Sequence, residues 1–196
     1  MKIPPSFYLK DDVVKIASEL LGKYLFTNFN GMLTGGIITE TEAYAGITDK
    51  ASHAYGDKRT KRTEIMYYKG GTAYVYLCYG IHSLFNIVTN AENIPHAVLI
   101  RGIFPTLGEE IILKRVNKKK LSKEVTNGPG KVSKALGIHF SHSGLSLSGD
   151  KIWLEDKGIK IAKNEIKITK RIGIDYAGDD VKLPYRFILK SIPGLF

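Results

Sequence analysis

The residues best suited to chemistry in this sequence are two carboxylates and a tyrosine that alternate near residue 40. The segment GGIITETEAY is rich in β-branched residues and reads as a strand, whose period of two puts Glu40, Glu42 and Tyr44 on one face. A carboxylate there can take a proton from water or stabilise a developing positive charge. The alternative is a solvated strand edge with an amphipathic tyrosine. This segment alone leaves both interpretations open.

Tyrosine is concentrated in a second segment, TAYVYLCYGIHSLFNIVTN. Tyr74, Tyr76 and Tyr79 occur close together there, which is more tyrosine than a core needs, because each buried hydroxyl requires a hydrogen-bond partner. Rings that stack on nucleobases explain the cluster more simply. The segment also predicts a β-hairpin that turns at Tyr79 and Gly80, with Tyr79 at its tip.

The overall charge favours a polyanionic partner. Lys and Arg number 29 against 19 Asp and Glu in 196 residues, so the formal net charge is +10, which points to nucleic acid or an anionic surface. The most apolar window, residues 73–88, is too short and polar to span a bilayer, so no membrane partner is expected. A single cysteine, Cys78, and an N-terminus without a signal-peptide pattern predict a reducing, cytoplasmic location.

Basic residues are notable in two places. Arg101 lies in an apolar segment and, if buried, needs an anionic partner, which Glu42 or a phosphate would supply. A second group forms a loop that either follows a phosphate backbone or is a solvated face. Its members are Lys58, Arg59, Lys61 and Arg62.

Neither a metal site nor a phosphate loop is expected. The five histidines form no HExxH pattern, and His139 and His142 have no carboxylate or thiolate near them in sequence. The segment NGPGKVS lacks both the earlier glycine and the Ser or Thr after the lysine that a Walker phosphate loop requires. We therefore predict no metal and no cofactor.

The elements that must position these residues are mostly strands. Helical spacing predicts a helix in LKDDVVKIASELLGKYLF, capped by Asp11 and ended by Gly22. Further helices are predicted in PTLGEEIILKRV and GPGKVSKALGI, and strands in HAVLIRGI, KIWLE, IKIAK, IKITKRIGI and YRFIL. Because no regular βαβ rhythm appears, we predict one α+β domain over residues 1–196. It has a curved, partly barrel-like mixed or antiparallel sheet, flanking helices and a protruding hairpin.

An ordered set of motifs resembles one known family. In chain order they are ETEAY, the following His53, GTAYVYLCYGIHSLFN, AVLIRG, NGPGK, RIGIDYAG and KLPYRF. Together they are similar to the alkyladenine DNA glycosylase family, the 3-methyladenine glycosylases of animal and bacterial type. The resemblance implies a monofunctional glycosylase of base excision repair that acts as a monomer on duplex DNA, nucleoid-associated in a bacterium. It would flip out damaged purines such as 3-methyladenine, 7-methylguanine, hypoxanthine and ethenoadenine, and hydrolyse the N-glycosidic bond.

The resemblance also implies which residues activate water. Glu42 matches the general base, and Arg101 matches the arginine that helps to hold the water. A main-chain carbonyl near Ile172 would be a further contact of the water. Glu40 is then a neighbour of the base rather than the base itself.

Five other residues match side chains that contact the DNA in the family. Tyr44, His53 and Tyr76 would surround the flipped base, with His53 also donating a hydrogen bond to it. Asn86 matches the asparagine that disfavours the exocyclic amino group of guanine. Tyr79 matches the tyrosine that wedges into the vacated stack. The hairpin departs from the family in its next two residues, Ile81 and His82, where mammalian members carry a more extended apolar and aromatic pair.

Two other classes of protein share some of these features. A noncatalytic nucleic-acid-binding module would explain the charge and the tyrosines, but it leaves Glu42 unexplained, because a carboxylate repels phosphates. A hydrolase of free nucleosides would need neither the +10 charge nor a protruding hairpin. Release of free base from oligonucleotides with one defined lesion each separates the three.

Overall fold

The fold is an antiparallel sheet flanked by short helices, as a computed structural model describes it for residues 1–192, with the backbone alone at residue 123. Residues 193–196 of the predicted domain lie outside the described part. The strands are β1 (Tyr24–Phe29), β2 (Met32–Tyr44), β3 (Ala73–Cys78), β4 (His82–Thr89), β5 (His96–Leu107), β6 (Ile152–Glu155), β7 (Ile166–Thr169) and β8 (Arg186–Leu189). Every strand pairing within residues 1–192 is antiparallel. The predicted α+β class is confirmed.

Four α-helices lie among the described residues, together with short 3₁₀ segments, the longest of which is interrupted at Gly178. The α-helices are α1 (Pro5–Tyr8), α2 (Val13–Glu19), α3 (Glu109–Val116) and α4 (Pro129–Leu136). The 3₁₀ segments are Gly46–Thr48, Glu64–Tyr67, Lys123–Val125, Phe140–His142, Lys163–Glu165 and Asp175–Lys182. No helix within residues 1–192 combines the length and the apolar character needed to cross a membrane.

β2 is the strand around which the sheet is organised. It pairs with β5 on one edge, and on the other edge first with β1 and then, at residues 40–42, with β8. The main order is β3-β4-β5-β2-β1-β6, and β7 pairs with β8. The register with β5 shifts on both sides of Glu40, and such bulges bend a strand. The ETE segment therefore lies where the partner of β2 on one edge changes from β1 to β8.

The two faces of β2 differ as the alternation predicted. Thr41 is fully buried, and its hydroxyl donates to the carbonyl of Ala17 in α2 at 2.7 Å. Glu40 and Glu42 are on the opposite face, where their carboxylates meet Arg101 of β5. Packing of α2 against one face of β2 thus leaves the other face to carry polar groups.

The first predicted helix is shorter than expected and is capped by a different residue. Its N-cap is Asp12, whose carboxylate accepts from the backbone N–H of Lys15 at 2.9 Å, so the predicted cap at Asp11 was wrong. Capping requires the residue that directly precedes the first helical one. The helix ends before Gly22, and Tyr24 already belongs to β1, because strand pairing with β2 overrides the helical spacing there.

Three other element predictions need correction. IKIAK is not a strand. Ile161 packs against the turn at Gly22, so its side chain is half-buried without strand pairing. Only Ile166–Thr169 of IKITKRIGI is a strand, and the rest is the loop after β7. Residues 105–107, predicted to begin a helix, continue β5, because β2 pairs with them.

The hairpin of β3 and β4 turns where the sequence predicted. Tyr79 and Gly80 have φ of 50° and 73°, and the N–H of Ile81 donates to the carbonyl of Cys78 at 3.1 Å. Two consecutive residues with positive φ are typical of the tight turn that matches strand twist. Glycine adopts this conformation freely, whereas a tyrosine is strained in it.

Candidate active site

A cleft of about 240 Å³ brings together most of the predicted site residues. Its walls come from the end of β2, the hairpin, β5 and the loop after β7. The predicted residues in its lining are Tyr44, His53, Tyr76, Tyr79, Asn86 and Arg101. Ile172 also lines it. Residues distant in sequence therefore share one cleft.

Glu42 lies directly behind this lining, and its side chain is 0% exposed. Oε1 accepts a hydrogen bond from the backbone N–H of Ile172 at 2.9 Å, and Oε2 accepts from the Tyr44 hydroxyl at 2.9 Å. Arg101 Nη1 donates to Oε2 at 3.4 Å. Burial raises the pKa of Glu42, while Arg101, the Ile172 amide and the Tyr44 hydroxyl act in the opposite direction. The carboxylate therefore binds a proton more tightly than an exposed glutamate would.

Arg101 contacts both carboxylates of the ETE segment. Its Nε donates to Glu40 Oε1 at 2.9 Å, and its contact with Glu42 is longer. Glu40 Oε1 also accepts from Arg186 Nε at 2.7 Å. Sequence reasoning named Glu42 or a phosphate as the partner of Arg101, whereas the shorter contact is with Glu40. Two guanidinium groups thus balance two carboxylates, so the network carries no net charge.

The aromatic side of the cleft is formed by Tyr76 and His53, whose rings lie 4.6 Å apart in an edge-on arrangement. Tyr74 lies behind them in the core, and its hydroxyl is hydrogen-bonded to His53 Nδ1 at 2.9 Å. Burial raises the pKa of Tyr76 and also that of Tyr44. Both phenols therefore stay protonated at neutral pH and present uncharged, electron-rich rings.

Both ring nitrogens of His53 are already hydrogen-bonded. Arg62 donates to Nε2 at 3.1 Å, and because a guanidinium only donates, the ring proton belongs on Nδ1, facing Tyr74. Burial lowers the pKa of His53 to about 4, with the charge of Arg62 acting in the same direction. His53 is therefore neutral at pH 7. A ring N–H directed at a base, as the resemblance implies, requires one of these two contacts to open.

Asn86 is buried at the back of the cleft. Its Nδ2 donates to the carbonyls of Tyr74 at 3.2 Å and of Leu84 at 3.3 Å. Because carbonyls only accept, these contacts fix the orientation of the amide. The Asn86 side chain therefore has one defined orientation at the back of the cleft.

The structure adds residues that sequence reasoning did not select for the site. Arg62 lies with its guanidinium 4.9 Å from the centre of the Tyr76 ring, although it was identified only as part of a basic loop. Tyr176 lines the cleft and donates to the carbonyl of Ala51 at 3.1 Å. Its signal was its place after RIGI, in the motif RIGIDYAG. Within residues 1–192, no three His, Cys, Asp or Glu side chains gather as a metal site requires.

Similarity to known proteins extends along nearly the whole chain. A family model described as methylpurine-DNA glycosylase (MPG) matches residues 6–193. A protein of Chlamydia felis is 50% identical over 188 residues, which cover 95% of each chain. A protein of Bacillus cytotoxicus is 44% identical over an alignment of 201 positions, which covers 98% of each chain. Both relatives carry the name "Putative 3-methyladenine DNA glycosylase".

Proposed function

The chain belongs to the methylpurine-DNA glycosylase family, and from that membership we propose that it is a monofunctional glycosylase of base excision repair. It flips a damaged purine out of duplex DNA, hydrolyses the N-glycosidic bond with an activated water and leaves an abasic site. Its substrates are 3-methyladenine, 7-methylguanine, hypoxanthine and ethenoadenine, and it acts as a monomer. The observation that carries this proposal is the buried Glu42 carboxylate, bound by three donors behind an aromatic cleft.

The cleft is suited to a flat base that carries positive charge. Methylation at N3 or N7 makes a purine cationic, and a cation over an aromatic face gains about 0.5 to 2 kcal/mol. Tyr44 and Tyr76 supply protonated phenol rings. His53 is neutral at pH 7, so it does not repel a cationic base. Stacking in the cleft therefore favours the damaged base over a neutral normal purine.

Glu42 has the remaining capacity to take the proton of a water. Its Oε1 accepts one hydrogen bond, from Ile172, and a carboxylate oxygen has two acceptor positions. Arg101 uses Nε and Nη1 for the two carboxylates, and its Nη2 has no acceptor among the described residues. A water between these groups loses a proton to Glu42 as its oxygen bonds to C1′ of the deoxyribose. The electron pair of the broken C–N bond goes to the purine, and the carboxylate stabilises the oxocarbenium-like transition state.

The hairpin supports the flipping step. Tyr79 is 93% exposed at the tip and also borders the cleft, so its ring can enter the space that a flipped nucleotide leaves. Extrusion of a nucleotide costs a few kcal/mol of stacking and pairing, and an inserted ring recovers part of this.

Base release from duplexes with one defined lesion each tests the proposal. The wild-type protein is expected to release free base, and Glu42→Gln is expected to abolish release while its affinity for lesion DNA stays equal or rises, because one negative charge is removed near phosphates. A Gln variant that keeps most of its single-turnover rate would contradict the role of Glu42. Binding without release of any lesion would instead favour the noncatalytic nucleic-acid-binding module.

A further inference from the structure

A buried ion pair next to the cleft has no part in the mechanism above. Arg171 Nη1 and Nη2 donate to the carboxylate of Asp49 at 2.5 and 2.8 Å. The two side chains are 0% and 1% exposed, and neither lines the cleft. Burial of two charges carries a desolvation penalty that an apolar pair of similar volume would avoid. Arg171 Nε is, in addition, buried without a hydrogen-bond partner in the described part of the chain.

Two contacts of Arg171 lie next to Glu42. Arg171 Nη1 also donates to the carbonyl of Ala43, the residue after Glu42, at 2.8 Å. The guanidinium lies 4.8 Å from the centre of the Tyr44 ring, and the hydroxyl of that ring donates to Glu42. Asp49 also accepts from the backbone N–H groups of two nearby residues, Ala45 and Ala51. The pair therefore joins the end of β2 to the loop after β7.

That loop supplies the second donor to Glu42. Ile172 directly follows Arg171, and its N–H donates to Glu42 Oε1. Ile172 is itself half exposed, so its own side chain is a weak anchor for the loop. The Arg171 guanidinium is the buried anchor next to it. Two of the three donors to Glu42, the Ile172 amide and the Tyr44 hydroxyl, thus belong to residues that adjoin or contact Arg171. The third donor, Arg101, is instead bound to Glu40.

We propose that Asp49 and Arg171 form a positioning pair, which holds the Ile172 amide and the Tyr44 hydroxyl against the Glu42 carboxylate. The inference rests on the proposed function, because it assigns the pair to the same water-activating group. Neither side chain touches the substrate. Removal of the pair lets the loop move, and Glu42 loses a donor that favours its ionised form.

The expected consequence is a change in the pH dependence of base release. Ionisable groups facing Glu42 from the surrounding elements are Glu40 and Tyr44 of β2, Arg101 of β5, Arg186 of β8, and Asp49, Arg171 and Tyr176 from the loops. All of them except the pair are unchanged in an Arg171 variant. In Arg171→Gln, the lost positive charge and a weaker Ile172 hydrogen bond both raise the pKa of Glu42, and the acid limb of the rate profile moves to higher pH. In Asp49→Asn, the lost negative charge alone would lower that pKa, so an upward shift there reports the weaker hydrogen bond.

The test uses Arg171→Gln, Asp49→Asn and the conservative Arg171→Lys in the full chain. Single-turnover base release is measured across pH on one duplex lesion. For Arg171→Gln and Asp49→Asn we expect a loss of about 10- to 100-fold in the maximal rate and a shift of the acid limb by about one pH unit upwards. Affinity for lesion DNA stays within about twofold, because the pair is buried away from the surface. Arg171→Lys restores part of the rate.

Leu154→Ala is the matched control for stability alone. Leu154 is buried in β6 at the far end of the sheet order, so its truncation lowers the melting temperature without contact with the cleft. It is expected to leave the acid limb in place. If Arg171→Gln and Asp49→Asn behave like Leu154→Ala, or lose DNA affinity instead of rate, the proposal is wrong.

A second measurement makes the result independent of catalysis. Titration of the Glu42 carboxyl by ¹³C NMR reports its pKa in the wild type and in Asp49→Asn. The variant is expected to have the higher value, although the loss of a negative charge alone would lower it. An unchanged Glu42 pKa overturns the inference even when the variant is less active. Absence of base release by the wild type would overturn the proposed function, and the NMR titration would still test the positioning pair. If Arg171→Gln does not fold, Arg171→Lys is judged by the same shift, in the same direction and smaller.

Discussion

At the level of single residues, burial and the nearest partner fix the charge of each group in the cleft. Glu42 has no exposed side-chain surface, yet three donors surround it. Burial raises its pKa, and the donors only partly offset that rise. His53 is hydrogen-bonded to Tyr74 and Arg62 and has no carboxylate partner within the described chain. Burial lowers its pKa and keeps it neutral at pH 7. The aromatic wall of the cleft is therefore uncharged at pH 7.

The neutral state of His53 gives a prediction on pH. Titration of the imidazole by NMR is expected to give a pKa of about 4, below the ordinary value for histidine. Because the unfolded chain takes up this proton at a higher pH than the folded one, His53 lowers the stability of the fold as the pH falls from about 6.5 to about 4.

A variant distinguishes this residue from the other titrating groups. In His53→Gln, the loss of melting temperature between about pH 7 and pH 5 should be smaller than in the wild type, because one of the groups responsible is gone. Arg62→Gln should raise the pKa of His53, since the charge of Arg62 is the second cause of its lowering. An imidazole that titrates near 6.5 in the wild type would contradict the prediction.

At the level of elements, the hairpin is the part of the fold most clearly shaped for contact with another molecule. Tyr79 is 93% and Ile81 is 72% exposed. Helix α4 packs against β4 of the hairpin. An added Cβ at Gly130, in the first turn of α4, would lie 3.2 Å from His82. Glycine thus lets the helix approach the hairpin closely next to its turn, where His82 pairs with Cys78.

Tyr79→Ala is expected to slow base release most where flipping costs most. Its single-turnover rate should fall strongly for a stably paired lesion in duplex DNA, and less for the same lesion opposite a mismatch or in a single strand. Ile81→Ala, at the same tip, is the control and should lose less, because an aliphatic side chain stacks poorly on base pairs. Fluorescence of 2-aminopurine beside the lesion reports the unstacking. Equal slowing on all substrates, with a lower melting temperature, would indicate a core role for Tyr79.

The start of α2 gives a prediction on stability. Asp12→Ala removes the hydrogen bond to the Lys15 amide and is expected to destabilise the fold by about 1 kcal/mol. Asp11→Ala removes the same charge one residue earlier, where no capping bond is made, and should change stability by less than about 0.5 kcal/mol. Urea denaturation of the two variants compares them directly. Equal effects would show that charge near the helix, and not the cap, is responsible.

At the level of the whole molecule, the net charge of +10 predicts binding that depends steeply on salt. The logarithm of the affinity for duplex DNA should fall linearly with the logarithm of salt concentration, by about 0.9 per phosphate contact. Lys61→Gln should reduce this slope by about 0.9 if its exposed ammonium neutralises a phosphate. Fluorescence anisotropy measures both slopes. A nearly flat dependence would favour a small-molecule substrate instead.

The sequence by itself determined the features that depend on local geometry. Strand alternation is a property of the backbone, so the ETEAY pattern placed Glu40 and Glu42 on one face before any partner was known. Two-residue hairpin turns favour positive φ, which glycine adopts freely. Gly80 after Tyr79 therefore predicted the turn, and both residues have positive φ. Residues matched through family motifs lie in one cleft, to which the end of β2, the hairpin and β5 contribute.

Only the tertiary structure decided which distant groups meet. Arg101 is 61 residues from Glu40 and 59 from Glu42, so sequence separation does not choose between them. In the structure, where the register shifts on both sides of Glu40, Glu40 is the closer partner. Asp49 and Arg171 carry no pattern that joins them, because an ion pair across two loops leaves no periodicity in either. Sequence periodicity predicts individual strands and helices, whereas contacts between them depend on the packing of the whole sheet. The partners of Glu42 come from such contacts, so they could not be read from that periodicity.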